Sequence, residues 1–112
     1  MQWHKLESLE DLSFALEKSN AVPIALFKHS TRCSISSAAK DRIERQWTFS
    51  ESQLPIYYLD LIQFREISNK IAEVTGVTHE SPQLIIVKNG KAVYDTSHSG
   101  IIPRLIPEEI LS

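Results

Sequence analysis

Cys33 is the only cysteine in this chain of 112 residues, and it stands in "HSTRCSISSAAK", residues 29–40, where an apolar stretch gives way to a helical pattern. A thiol reacts as its thiolate, and a free cysteine, with a pKa of about 8.5, is mostly protonated at neutral pH. At the start of a helix the unpaired N–H groups and the positive end of the dipole stabilise the anion, and nearby cations add to this. Cys33 has the first feature by position, and Lys28, His29 and Arg32 are close enough in sequence to supply the second.

Ser36 stands three residues after Cys33, where the resolving cysteine of a CxxC redox pair would be. With serine there, no intramolecular disulfide forms. The thiolate can still attack a mixed disulfide and keep one half of it until a second small thiol takes that half away. The Ser36 hydroxyl is expected to be able to donate a hydrogen bond to the sulfur. A second feature is "THESPQLIIV", in which Ser81-Pro82 directly precedes a strand pattern. A cis proline there would turn the chain sharply and free the preceding backbone groups to pair with an extended ligand. A trans proline opening the strand is the ordinary alternative.

These residues need elements to hold them, and the chain supplies a strict alternation. A short stretch around Trp3–Leu6 is followed by "SLED", Ser8–Asp11, a helix-start box in which the Ser8 hydroxyl accepts an N–H of the first turn. Leu9, Leu12 and Leu16 fall on one face of that helix. "IALF" after Pro23 and "LPIYYLDLI" read as buried strands. Between them Ile35, Ala38, Ala39, Ile43 and Trp47 recur at helical spacing. Ile67, Ile71 and Val74 mark a further helix, ended by Gly76 as a left-handed cap. "QLIIVKNGKAVYD" is a hairpin about Asn89-Gly90, and "IIPRLIPEEILS" a short final helix with Pro103 or Pro107 near its first turn. The order is strand, helix, strand, helix, strand, helix, strand, strand, helix. That is an α/β fold, a mixed central sheet with helices on both faces and a C-terminal β-hairpin.

Composition sets the bounds. Hydrophobic residues make up 42% and charged residues 23%, as in an ordinary globular chain, and residues 1–112 suit a single domain. Twelve basic against 14 acidic residues give a net charge of -2, with no overall field to attract nucleic acid or an acidic membrane. No apolar run is long enough to span a bilayer and no signal-peptide core is present, so a cytoplasmic location is expected, in keeping with one unpaired cysteine. His4, His29, His79 and His98 lack close metal-ligand spacing, and no glycine-rich phosphate loop occurs. Asp60 reads as a carboxylate at a strand end, Trp47 as a core residue and Trp3 as an edge residue.

The segments "STRCSIS", "YYLDLI", "REISNKIAEVTGVTHESPQ" and "NGKAVYDTSHSGI" resemble the YtxJ family of monothiol bacilliredoxins, general stress proteins of thioredoxin-like fold. The resemblance covers nearly the whole chain and implies a cytoplasmic thiol–disulfide oxidoreductase that removes bacillithiol, or a similar low-molecular-weight thiol, from oxidised protein cysteines. Cys33 would be the nucleophile. Thr31, Arg32, Ser34, Ile35 and Ser36 would form the substrate site with His79, Ser81 and Pro82; Glu80 and Gln83 also match the family's second motif, and Pro82 would be cis and face the cysteine. No cofactor is implied beyond the small thiol as co-substrate, and the partners would be S-thiolated proteins. Ser34 stands where the family commonly has proline, which adds an N–H near the sulfur. Lys28, Arg32 or Arg65 could hold the carboxylates of bacillithiol. Two other functions suit a lone cysteine in this fold: an iron–sulfur carrier of the monothiol glutaredoxin type, or a binding module whose thiol is incidental.

Overall fold

In the computed structural model, which describes residues 1–111, the chain alternates strand and helix as its periodicity requires. Strand β1 (Trp3–Lys5) leads to helix α1 (Leu9–Lys18), β2 (Ile24–His29), α2 (Ser34–Gln46), β3 (Ile56–Asp60), α3 (Arg65–Thr75), β4 (Gln83–Lys88) and β5 (Lys91–Ser97). Local chemistry sets several boundaries. Ser8 caps α1, its Oγ accepting the Asp11 N–H at 3.0 Å. Gly76 ends α3 in the left-handed region at φ 72°, where a Cβ would be strained. Asn89 and Gly90 both have positive φ, as the two-residue hairpin turn between β4 and β5 demands.

The five strands lie in the order β1-β3-β2-β4-β5. β2 is parallel to β3, which is parallel to β1, while β4 is antiparallel to β2 and to β5. β2 is thus enclosed by strands on both edges, and all six of its residues are buried. Because successive side chains point to opposite faces, Ile24 and Leu26 join Leu12, Ala15, Ile67 and Ile71 in a core beneath α1 and α3. Ala25 and Phe27 join Ala39 and Ile43 in a second core beneath α2. The same alternation decides the next two residues: Lys28 faces the α1/α3 side and His29 the α2 side.

The tail and several stripe residues need correction. The tail is not a helix but a set of short 3-10 turns, His98–Gly100, Pro103–Leu105 and Glu108–Leu111. Pro107 has no N–H to give the Pro103 carbonyl one α-turn back, so an α-helix cannot run through both. Leu9, Ile35 and Val74, placed on apolar stripes by spacing, are exposed at 42%, 58% and 39%, and Ala38 is exposed as well. Leu9 and Ile35 lie within the first two residues of their helices, and Val74 is the last residue but one of α3.

Candidate active site

The end of β2, the start of α2 and the start of β4 meet at one end of the sheet. Cys33 is the N-cap of α2, in extended backbone (φ -117°, ψ 122°) and only partly exposed. Its N–H donates to the Ser30 carbonyl at 3.2 Å and its carbonyl accepts the Ser37 N–H at 3.0 Å. No acidic residue occupies the first turn of α2, so no carboxylate there opposes the positive end of the helix. Thr31, Arg32, Ser34 and Ile35 are exposed around the cysteine.

Ser36 is fully buried, and its hydroxyl is committed away from the sulfur it was expected to face. It accepts the Ser30 N–H at 3.0 Å and lies 2.7 Å from His29 Nδ1. His29 is packed between Phe27 and Tyr58, with ring centroids 5.8 and 5.6 Å away. Burial lowers its pKa, the Lys40 charge adds to this and Asp60 opposes it, so the imidazole is held neutral. A neutral ring bonded to Ser36 fixes the turn that carries Cys33.

Lys28 and Gln83 are register partners across β2 and β4, which puts the next residues, His29 and Pro82, at the same end of the sheet. The Ser81-Pro82 peptide is cis. The Pro82 carbonyl accepts the His98 N–H at 3.1 Å, tying this loop to the 3-10 turn His98–Gly100, which packs against α2. His98 adopts a positive φ of 54°, and its Nε2 lies 3.6 Å from Glu80 across the same gap. Gly100 passes so close to Thr96 that a Cβ would stand 2.6 Å from its Oγ1. Segments 30–36, 79–82 and 97–101 therefore form one rim.

A family model for monothiol bacilliredoxin BrxC matches residues 4–106. The chain belongs to the monothiol bacilliredoxin family. A solved structure with a thioredoxin fold is 32% identical over 91% of this chain and 88% of its own, with a TM-score of 0.78. Thioredoxin from Fasciola hepatica is 18% identical, covering 96% of this chain and 95% of its own, with a TM-score of 0.73. The thioredoxin pre-protein of Schistosoma mansoni is 18% identical, 90% of each chain being covered, with a TM-score of 0.70. These last two show the fold, which is thioredoxin-like, and the family carries a redox thiol function.

In this bacilliredoxin several of the expected site residues come together and one candidate is displaced. Cys33 and its neighbours, the 79–82 loop and the turn at His98 share one end of the sheet. Lys28 does not reach the thiol or a ligand carboxylate. It is completely buried on the opposite face, its Nζ donating to the Ser68 carbonyl at 3.1 Å and to His79 Nδ1 at 3.2 Å. Burial lowers its pKa to about 8. Arg32 and Arg65 stay exposed. Asp60 stands at the end of β3, where Oδ1 accepts the Ile62 and Gln63 N–H groups. The roles of His29 and Lys28 escape sequence reasoning, although the strand alternation in "IALFKH" carries their opposite directions. Among the described residues no cluster of His, Cys, Asp and Glu could hold a metal, and no helix is long and apolar enough to cross a membrane.

Proposed function

We propose that the protein is a monothiol thiol–disulfide oxidoreductase that removes a small thiol of the bacillithiol class from oxidised protein cysteines. The observation that carries this reading is the placement of Cys33, the sole thiol, at the partly exposed N-cap of α2 with buried Ser36 in the resolving position. The Cys33 thiolate attacks the small-thiol sulfur of the mixed disulfide. The new S–S bond joins Cys33 to the small thiol, the old bond breaks, and its electron pair leaves on the protein substrate as thiolate. A second small thiol, as thiolate, then attacks the Cys33 adduct. A symmetric small-molecule disulfide departs and Cys33 is restored.

The rim supplies recognition. Ile35, 58% exposed two residues after Cys33, offers an apolar contact to a protein substrate, and exposed Arg32 offers a cation to the anionic small thiol. The substrates are then S-thiolated proteins, with the small thiol as co-substrate and no resident cofactor, in a cytoplasmic setting. Incubation with a bacillithiolated and, separately, a glutathionylated peptide tests this, with free peptide thiol followed over time. Faster release from the bacillithiolated peptide, abolished in Cys33→Ser, is expected. Equal release by the Cys33→Ser protein would contradict the reading.

A further inference from the structure

The loop 77–82 is fastened by two side chains that stand opposite each other in the sheet. Lys28 and Gln83 are register partners, and both are buried. Gln83 Nε2 donates to the Thr78 carbonyl at 2.9 Å, and Lys28 Nζ reaches both Ser68 on α3 and His79. Lysine has only donors, so His79 Nδ1 must be the acceptor and the neutral ring carries its proton on Nε2. Ser68 Oγ, 3.3 Å from the same Nδ1, is a second, uncharged donor to it.

A buried ammonium group is a costly choice here. Neither contact is to a carboxylate, and apart from its register partner Gln83 the lysine shares this face with apolar residues such as Leu26 and Ile71. The Ser68 carbonyl lies inside α3 and already has the helix ladder as a partner, so it does not need the lysine. What the lysine adds is a hold on His79, and so on the segment that runs into Pro82. Charge on His79 would break that hold. Burial and the charges of Lys28 and Arg65, against Glu80, keep the ring neutral.

We propose that Lys28 is a positioning residue for disulfide exchange: from the sheet face opposite α2, its ammonium group holds His79 and thereby the 79–82 loop where a disulfide substrate meets Cys33. This inference rests on the exchange reading of Cys33. It assigns Lys28 to substrate docking rather than to the reactivity of the sulfur.

Two rates separate these roles: steady-state exchange with a mixed-disulfide peptide, and alkylation of Cys33 by iodoacetamide. Lys28→Met and His79→Leu should each raise KM roughly tenfold, as loss of one hydrogen bond to a charged group would. Alkylation and kcat should stay within about twofold of the wild type. His79→Gln, whose amide oxygen can accept from Lys28, should restore KM, and the Lys28→Met/His79→Leu pair should be no worse than either change alone. His79 is exposed, so its variants keep the proposal testable if Lys28→Met fails to fold. Unchanged KM in His79→Leu, or alkylation falling in step with exchange, would overturn it. A wild-type protein that is alkylated but exchanges nothing would instead remove the reading of Cys33, and this inference with it.

Discussion

The Ser36 hydroxyl sits between the Ser30 N–H at 3.0 Å and His29 Nδ1 at 2.7 Å, so the residue in the resolving position is a buried staple rather than an idle substitute for cysteine. It binds the first turn of α2 to the end of β2 and fixes the turn between them. Ser36→Ala would leave the Ser30 N–H and a buried imidazole nitrogen without that partner. A loss of about 1–2 kcal/mol is expected, the usual cost of an unsatisfied buried group. Chemical denaturation measures it, and an unchanged midpoint would show that the staple carries no stability.

Ser36→Cys should turn the protein into a dithiol. An N-cap residue and the third residue of its helix are separated by one turn, within the ~4.4–6.8 Å Cα spacing that a disulfide spans. Treatment with a thiol oxidant should lower the intact mass by two hydrogens and block adduct formation on Cys33. A variant that still ends as a small-thiol adduct would mean that the buried position cannot reach the sulfur.

Ile35 offers a test of protein recognition. Ile35→Asp sets a charge on an exposed apolar contact and should raise KM for an S-thiolated protein about three- to tenfold, corresponding to ~1 kcal/mol of lost burial. Reaction with a small symmetric disulfide, too short to use that contact, should be unchanged. Equal effects on both substrates would place Ile35 in the chemistry instead.

Lys28 gives a stability signature with a definite sign. Its folded-state pKa of about 8 lies below the ordinary 10.5, so the folded chain sheds this proton first. Below pH 8 the amine is charged in both states and the fold bears the full cost of burying it. Between pH 8 and 10.5 the unfolded chain binds more protons, and wild-type stability gains with rising pH. Lys28→Met has no such titration, so the stability of the wild type relative to it should rise between pH 8 and 10.5. The change should be about 3 kcal/mol across the window, at ~1.4 kcal/mol per pKa unit. Denaturation of both proteins at pH 7 and above pH 10 measures the difference, in which shared tyrosine titrations cancel. A difference that stays flat, or that moves in favour of Lys28→Met with rising pH, would mean that the contacts of the ammonium offset its burial.

Much of this architecture is legible in the sequence because local rules act alone there. The Asn89-Gly90 turn, the Gly76 cap and the Ser8 cap each depend on the chemistry of one or two residues, and all three are found as read. The tail is harder, since Pro103 and Pro107 are each compatible with a helix start and only their spacing forbids one helix. Ile35 shows the limit of periodicity, because a stripe says which residues share a face and not how far the partner surface extends. Cys33 at the start of α2 follows from the strand-to-helix switch. Lys28 is near the thiol in sequence but not in space: alternation along β2 sends it to Ser68 of α3 and to His79, 51 residues away in the loop beyond that helix. That pairing depends on the register of β2 with β4, which no local pattern specifies.

The central claim is that one sulfur carries half of a disulfide and then surrenders it to a second small thiol. A single-turnover reaction with a bacillithiolated peptide, quenched in acid and read by intact mass and fragment mapping, tests it most directly. One small-thiol adduct on Cys33 should appear as the peptide thiol is freed, and should vanish on addition of the free small thiol. Peptide reduction with no adduct on Cys33, or an adduct that the small thiol cannot release, would contradict it.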